Sequence, residues 1–477
     1  MRLALDIRAQ LVERLPDLRR DRLGELGRKF IPDRQQFLTQ LLSASYERRR
    51  PHAKAHGADS FDRDFLVRGL RVARRPSVYG ALLDPFYEFP KGNRGYSKDR
   101  GVTKPYRIRP HVLAALQTVY ASDEPVTVLV QEAGPDGPTP AKLPPNGLPP
   151  GLADRISVPG CIPISLTRVD DAIARVESWI EQNYPHMPLD PDKPEGTSLA
   201  EALRQLYACR KWIVSAGGLP NIYGEQSHGR LGPLGFHLIG LPSRVRHLLF
   251  EGSDLVDYDL ASCFWSLFRS LGRALGFPTP QVDQYVAEKA LWHRRWSALT
   301  GHGYPNDFKP VAASWLTGGT LSSSLRTESA RRVGSPAMRA LSDDPFTVAL
   351  YGEVKAGMKR IISDVLRWDT DGEGKIAVNA VGATLRPMQK PADFGRLCAH
   401  VLTGYEQFAI RELCRRAAGL KAIIYDGFIA LGQRTDVLEE QVRQRSREQL
   451  GVTLDVQLKA MHFAKRLPDP ERDPCDF

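Results

Sequence analysis

Two apolar runs each close on an aspartate: Leu255-Val256-Asp257-Tyr258-Asp259-Leu260-Ala261-Ser262 and Ala422-Ile423-Ile424-Tyr425-Asp426-Gly427-Phe428-Ile429. Short stretches rich in Val, Ile and Tyr read as buried strands, so each run delivers a carboxylate to a strand edge or a turn. Two carboxylates remote in sequence but able to meet on one sheet can hold divalent metal ions. Two such ions about 4 Å apart clamp the attacking and leaving oxygens of a phosphoryl transfer. Asp257 shares a strand face with Asp259 by the period of two, and spacing alone does not choose between them. Taken singly, an aspartate before glycine is an ordinary turn residue.

The elements around these runs have to fix the carboxylates. The first run passes into an amphipathic helix, with Phe264, Leu267, Phe268 and Leu271 recurring at i, i+3, i+4 and i+7, which sets Asp259 at a rigid strand-to-helix junction. The second turns at Gly427 and returns as Phe428-Ile429-Ala430-Leu431, a hairpin that pushes Asp426 outward. A helix over 437–450 and a strand over 452–459 are expected to follow.

The chain has 477 residues, 42% hydrophobic and 25% charged, enough for a large core and two or three domains. No stretch approaches the ~18 uninterrupted apolar residues of a membrane span. The start Met1-Arg2-Leu3-Ala4-Leu5-Asp6 meets charge too early for a secretory signal, so the expectation is a cytoplasmic protein without a membrane partner. Six dispersed cysteines form no CxxC pair and have no histidine at zinc spacing, which predicts reduced thiols and no structural zinc. Charge is uneven: residues 1–110 hold 25 Lys+Arg and 13 Asp+Glu, a balance of +12 against +11 for the whole chain. Within that basic end, Lys91-Gly92-Asn93-Arg94-Gly95-Tyr96-Ser97-Lys98 and Thr103-Lys104-Pro105-Tyr106-Arg107-Ile108-Arg109 interleave rings with cations. Lys91, Arg94, Lys104 and Arg107 are therefore candidates for phosphate contact beside stacked bases, with a solvated basic face as the alternative.

Three regions follow from the patterning. Residues 1–133 form a basic, mostly helical region, with Phe37, Leu38, Leu41 and Leu42 at helical spacing; 134–162 are a Pro/Gly-rich linker or loop; 163–477 form an α+β domain, opening with helices near 169–183 and 198–215. Asp59, Asp62 and Asp64 read as a polar helix start.

Order and spacing carry a resemblance. Gly229-Arg230-Leu231, His237-Leu238-Ile239-Gly240-Leu241-Pro242, Val245-Arg246 and Leu255-Val256-Asp257-Tyr258-Asp259 resemble the "TGRLS", "NLQNIP", "IR" and "LVxxDYS" succession of family A DNA polymerases. Lys309-Pro310-Val311-Ala312-Ala313-Ser314-Trp315-Leu316-Thr317-Gly318-Gly319 is similar to that family's fingers helix, in which lysine precedes a tyrosine-glycine pair by eight and nine residues. His400-Val401-Leu402-Thr403-Gly404-Tyr405-Glu406-Gln407, with Asp426 following 26 residues after His400, resembles the helix and "HDxF" strand of the phage single-subunit RNA polymerases of the same superfamily. The resemblance covers residues 229–460.

It implies a right-hand polymerase of α+β class, with a palm at about 220–275 and 370–465, fingers at about 276–365, and the N-terminal region as a thumb-like nucleic-acid-binding part. It implies that Asp259 and Asp426, with Asp257 as a further candidate, hold two Mg2+ ions, Mn2+ being a substitute. Lys309 would face the triphosphate and Arg230 the primer end. His237 and Arg246 would belong to the nucleic-acid contacts, and His400 would lie near the minor groove of the nascent pair. Phe264, five residues after Asp259, would crowd the 2′ position and favour deoxynucleotides. The implied activity is template-directed DNA synthesis on primed or single-stranded DNA from nucleoside triphosphates, without an editing exonuclease, as in a plasmid or phage replication protein. Pro305 stands where the family has an arginine, leaving Arg294, Arg295 or Arg326 for the triphosphate. Thr317 replaces the fingers tyrosine, Tyr425 a histidine, and Gly427 a glutamate. Two alternatives remain: a DNA-directed RNA polymerase or primase, and a replication initiator that binds nucleic acid without catalysis.

Overall fold

The structure is a computed structural model that describes residues 2–18, 34–47, 85–88, 107–131, 139–140, 148, 152, 160–183, 194–226, 228–233, 236–238, 241, 243–371, 374–387 and 393–463. Helices and strands mix along the chain. Four strands organise the site: β1 (Leu255–Leu260), β2 (Ala422–Ile424), β3 (Gly427–Leu431) and β4 (Leu458–His462). They form one sheet in the order β2-β3-β1-β4, with every neighbouring pair antiparallel. Asp259 lies opposite Gly427 on one side and Lys459 on the other; Asp257 lies opposite Ile429 and Met461.

Alternation along β1 divides two cores. Val256, Tyr258 and Leu260 point with Ile423, Phe428 and Ala430 into one of them. Leu255, Ala422 and Ile429 belong to the other. The aspartates occupy the continuation of that second face, so the sheet carries apolar side chains on both sides except where the carboxylates stand.

The first core is closed by helices α1 (Cys263–Ala274), α2 (Lys289–Thr300), α3 (Phe308–Leu316), α4 (Asp393–Arg416) and α5 (Thr435–Leu450), among others. Leu267, Phe268 and Leu271 of α1 are fully buried and Phe264 half-buried, as the spacing requires. The chain reverses from β1 into α1 at Ser262, whose φ of 54° is the one positive value outside glycine among the described residues. Residues 280–364 are helical apart from short turns and an irregular stretch over 317–327, and buried Trp292, Trp296 and Trp315 pack there with Tyr285.

The second core departs from the domain division drawn from the Pro/Gly segment. Helices Leu166–Asn183 and Pro194–Ala216 contribute Val169, Ile173, Leu206 and Trp212 to the same core as Leu11, Phe37 and Leu116 of the N-terminal helices Arg8–Arg14, Arg34–Glu47 and Pro110–Ala121. The cores therefore part at the central sheet and not at 134–162. The strand expected over 452–459 also shifts. β4 begins at Leu458, and in the segment before it Leu454 N–H donates to Ser446 Oγ at 2.9 Å and Asp455 N–H to Ser270 Oγ at 2.9 Å. Among the described residues no helix is long and apolar enough to cross a membrane.

Candidate active site

Asp259 is the penultimate residue of β1, and Asp426 sits in the two-residue turn between β2 and β3. The Asp426 carbonyl accepts from Leu260 N–H at 2.8 Å, which stitches the turn to the end of β1 and sets the two carboxylates side by side. A Cβ on Gly427 would lie 2.2 Å from the Tyr258 carbonyl oxygen. That close approach admits no side chain, which is why no third carboxylate follows Asp426. Burial first, and then the charge of Asp426, push the Asp259 carboxyl up to about 6; Asp257 adds to the effect, while Lys459 and Lys309 oppose it.

Asp257 has a different setting. It is 3% exposed and pairs with Arg246 Nη2 at 3.1 Å. Burial raises its pKa and the guanidinium works against that. The same arginine donates to the Leu241 carbonyl at 3.0 Å, so Arg246 is engaged inside the fold. Of the two β1 aspartates, only Asp257 forms an ion pair among the described residues.

Two lysines act on the charge of Asp259, and a third, Lys289, lies near both of them. Lys459 is the neighbour of Asp259 in the sheet register. Lys309 is the second residue of α3 and acts on the Asp259 charge. Lys289 opens α2; burial, then Lys459 and Lys309, lower its pKa to about 8. His293, one turn further on, is brought to about 4 by burial and by Lys289 and Lys309. No salt bridge among the described residues joins any of the three lysines to a carboxylate. Lysines gathered without an ion-paired carboxylate can seat a polyanion. Lys289 and Lys459 carry no motif, so sequence reasoning missed them.

The other triphosphate candidates lie elsewhere. Arg295 stacks over Trp292 at 4.8 Å and approaches Asp344 at 3.8 Å. Arg294 and Arg326 are exposed and are not among the charges acting on Asp259. The Thr317 hydroxyl donates to the Ser314 carbonyl at 3.1 Å, closing α3.

A buried polar network backs the Asp426 turn. Arg230 binds Glu406 Oε2 through Nε at 3.0 Å and Nη2 at 2.5 Å, and lies 5.4 Å from the centre of the Tyr425 ring. Glu406 is 2% exposed, and burial lifts its carboxyl to about 7 against the pull of Arg230, with Asp426 adding to the rise. His237 corrects an expectation: it is 3% exposed, its Nε2 meets Tyr223 OH at 3.1 Å and Asn221 Oδ1 at 3.3 Å, and burial takes it down to about 3. A neutral, enclosed ring supports the fold and presents nothing to nucleic acid. Tyr223 in turn accepts from Ile423 N–H at 2.8 Å, capping the edge of β2. His400 is likewise 3% exposed on α4, beneath the segment in which Asn379 Nδ2 donates to the His400 carbonyl at 3.3 Å. This burial removes it from a nucleic-acid surface in the structure described. Arg107 lies in the strand Arg107–Ile108, paired with Tyr87–Glu88; Lys91, Arg94 and Lys104 lie outside the described residues.

Among the described residues no cluster of three or more His, Cys, Asp or Glu is arranged to hold a metal ion. Two hard carboxylates, Asp259 and Asp426, nevertheless suit Mg2+, which is bound through one or two carboxylates with phosphate and water oxygens completing its shell.

No family model matches the chain, and no curated protein matches it in sequence. Among solved structures, the chain is similar to the POL domain of Pol1 from M. smegmatis in complex with DNA primer-template and dNTP. The identity is 12% over 65% of this chain and 68% of that one, with a TM-score of 0.38.

Proposed function

We propose that the chain is a nucleotidyltransferase that extends a primer along a DNA template from deoxynucleoside triphosphates, with Asp259 and Asp426 as its metal-holding carboxylates. One observation carries the reading: two neighbouring carboxylates, of which Asp259 is lifted to about 6 by burial and then by the charge of Asp426, stand near Lys309 and Lys459, with Lys289 beside those lysines. An acid pair awaits cations and a lysine trio awaits an anion; a metal-bound triphosphate satisfies both. Bound there, Mg2+ would supply activation of the primer hydroxyl and neutralisation of phosphate charge. Lys309, Lys289 and Lys459 would hold the triphosphate and stabilise charge as pyrophosphate leaves. Half-buried Phe264, at the start of α1, would present its ring edge toward the sugar. In this reading residues 220–275 and 370–465 make the palm and 276–365 the fingers.

The test is extension of a primed DNA template with Mg2+, run in parallel with dNTPs and rNTPs, for the wild type and for Asp259→Ala and Asp426→Ala. Extension with dNTPs that both substitutions abolish is the expected result. Extension with rNTPs alone would move the assignment to an RNA polymerase or primase. A wild type that binds primed template and extends it with neither pool would overturn the enzymatic reading.

A further inference from the structure

We infer that Gln407 is a positioning residue that fixes where Asp426 stands relative to Arg230 and so sets the affinity of the acid pair for divalent cations; the inference rests on the metal-binding part of the reading above. Gln407 is 0% exposed in the middle of α4. Enclosing an amide is unfavourable unless its donor and acceptor are both used, and here both are. Its Nε2 donates to the Tyr425 carbonyl at 3.2 Å, and its Oε1 accepts from Leu231 N–H at 3.1 Å. Each partner is the chain neighbour of a site residue: Tyr425 precedes Asp426, and Leu231 follows Arg230.

The geometry makes this more than packing. The Asp426 turn has two residues, and each of their carbonyls is tied to a different element. The Asp426 carbonyl accepts from Leu260 of β1 at 2.8 Å, beside Asp259, and the Tyr425 carbonyl accepts from Gln407 of α4. The first tie sets the distance to Asp259. The second removes the remaining freedom, rotation of the turn about that tie. Glu406, adjacent to Gln407, holds Arg230, so one short stretch of α4 gauges both the arginine and the turn. Without the Gln407 tie, Asp426 keeps its chemistry but loses its fixed direction, and preorganised ligands lose affinity when the groups that orient them are removed.

The experiment measures Mn2+ binding by electron paramagnetic resonance on the full chain, alongside the Mg2+ dependence of primer extension. It uses the wild type, Gln407→Met, which keeps the volume and removes both of these bonds along with the longer one that Nε2 donates to Glu406 Oε2 at 3.4 Å, and Gln407→Asn, which keeps the amide but shortens its reach. Asn221→Ala is the control, because Asn221 Nδ2 holds the Lys421 carbonyl at 2.7 Å at the far end of the same hairpin. The expected result is an Mn2+ affinity about tenfold weaker in both Gln407 variants, with extension restored by raised Mg2+, while Asn221→Ala loses thermal stability and keeps its affinity. Should Gln407→Met fail to fold, Gln407→Asn decides. Mn2+ affinity within twofold of wild type, or an affinity loss equal to that of Asn221→Ala, would overturn the inference. A wild type that binds Mn2+ but extends no primer would sink the proposed activity and leave this assignment to the binding data. A wild type that binds no Mn2+ would overturn both.

Discussion

Replacing Asp259 with Asn should make the metal-free protein more stable while destroying its activity. The folded state lifts this carboxyl from 3.8 to about 6, roughly two units, and each unit corresponds to about 1.4 kcal/mol. The ceiling is therefore about 3 kcal/mol of destabilisation when Asp259 is ionised, and solvent screening at a partly exposed position reduces it to about 1–2 kcal/mol. The sign follows from proton uptake. A carboxyl with a raised folded pKa favours folding while protonated, and that contribution is lost as pH rises from about 4 through about 6. At pH 7.5 in EDTA, Asp259→Asn should melt about 1–4 °C above wild type, and the gap should close as pH falls toward 4. Mg2+ should reverse the order. A ligand at a hundred times its dissociation constant stabilises by about 2.7 kcal/mol, a gain open to the wild type and withheld from the variant. Thermal melts over pH 4–8, with and without Mg2+, measure all of this. A variant that melts below wild type in EDTA at pH 7.5, or that gains as much from Mg2+, would refute the reasoning.

Lys289→Ala should raise the KM for the incoming nucleotide by about 10–100-fold, the range of one lost charged hydrogen bond, with a smaller change in kcat; steady-state extension kinetics at varied nucleotide would show it. Gly427→Ala forces a methyl against the Tyr258 carbonyl and should destabilise by about 1–3 kcal/mol, read as a lowered melting temperature and lost extension. Tyr223→Phe leaves Ile423 N–H without its acceptor and should cost about 1–3 kcal/mol, with hydrogen exchange at Ile423 accelerated. Phe264→Ala should let ribonucleotides compete in extension assays, and an unchanged preference would assign the ring to packing alone.

The placement of the two aspartates was legible because period-two burial is written into β1 and a glycine turn into the β2–β3 hairpin. The helix α1 was legible for the same reason. Lys459 had no such mark, since its place beside Asp259 exists only once β4 is paired, and β4 starts later than its hydrophobicity suggests. Lys289 comes near Lys309 only through the approach of α2 to α3, a contact between segments with no shared pattern. His237 and His400 were read as contact residues because a histidine in a motif says nothing about enclosure; the Asn221 and Tyr223 partners of His237 lie 16 and 14 residues away. Glu406 and Gln407 did leave a trace: two adjacent polar residues inside a helix that is otherwise buried from His400 to Ile410 are out of place unless they bond to something. The N-terminal boundary was misplaced because proline and glycine report where the backbone turns, not which helices share a core.

The two-sided sheet bears on how this protein could be divided. Residues 163–250 resemble the opening of a self-sufficient C-terminal unit, yet their apolar faces are completed by segments before residue 122, and Leu255, Ala422 and Ile429 rest on that same packing. A fragment beginning at residue 163 would uncover Val169, Ile173, Leu206 and Trp212 along with the underside of the strands that carry the aspartates, and exposed surface of that kind drives association. The acid pair is thus not a portable module. Trimming or exchanging the N-terminal helices would repack the floor beneath Asp259, because hydrophobic contact joins the basic end of the chain to the strand that carries it.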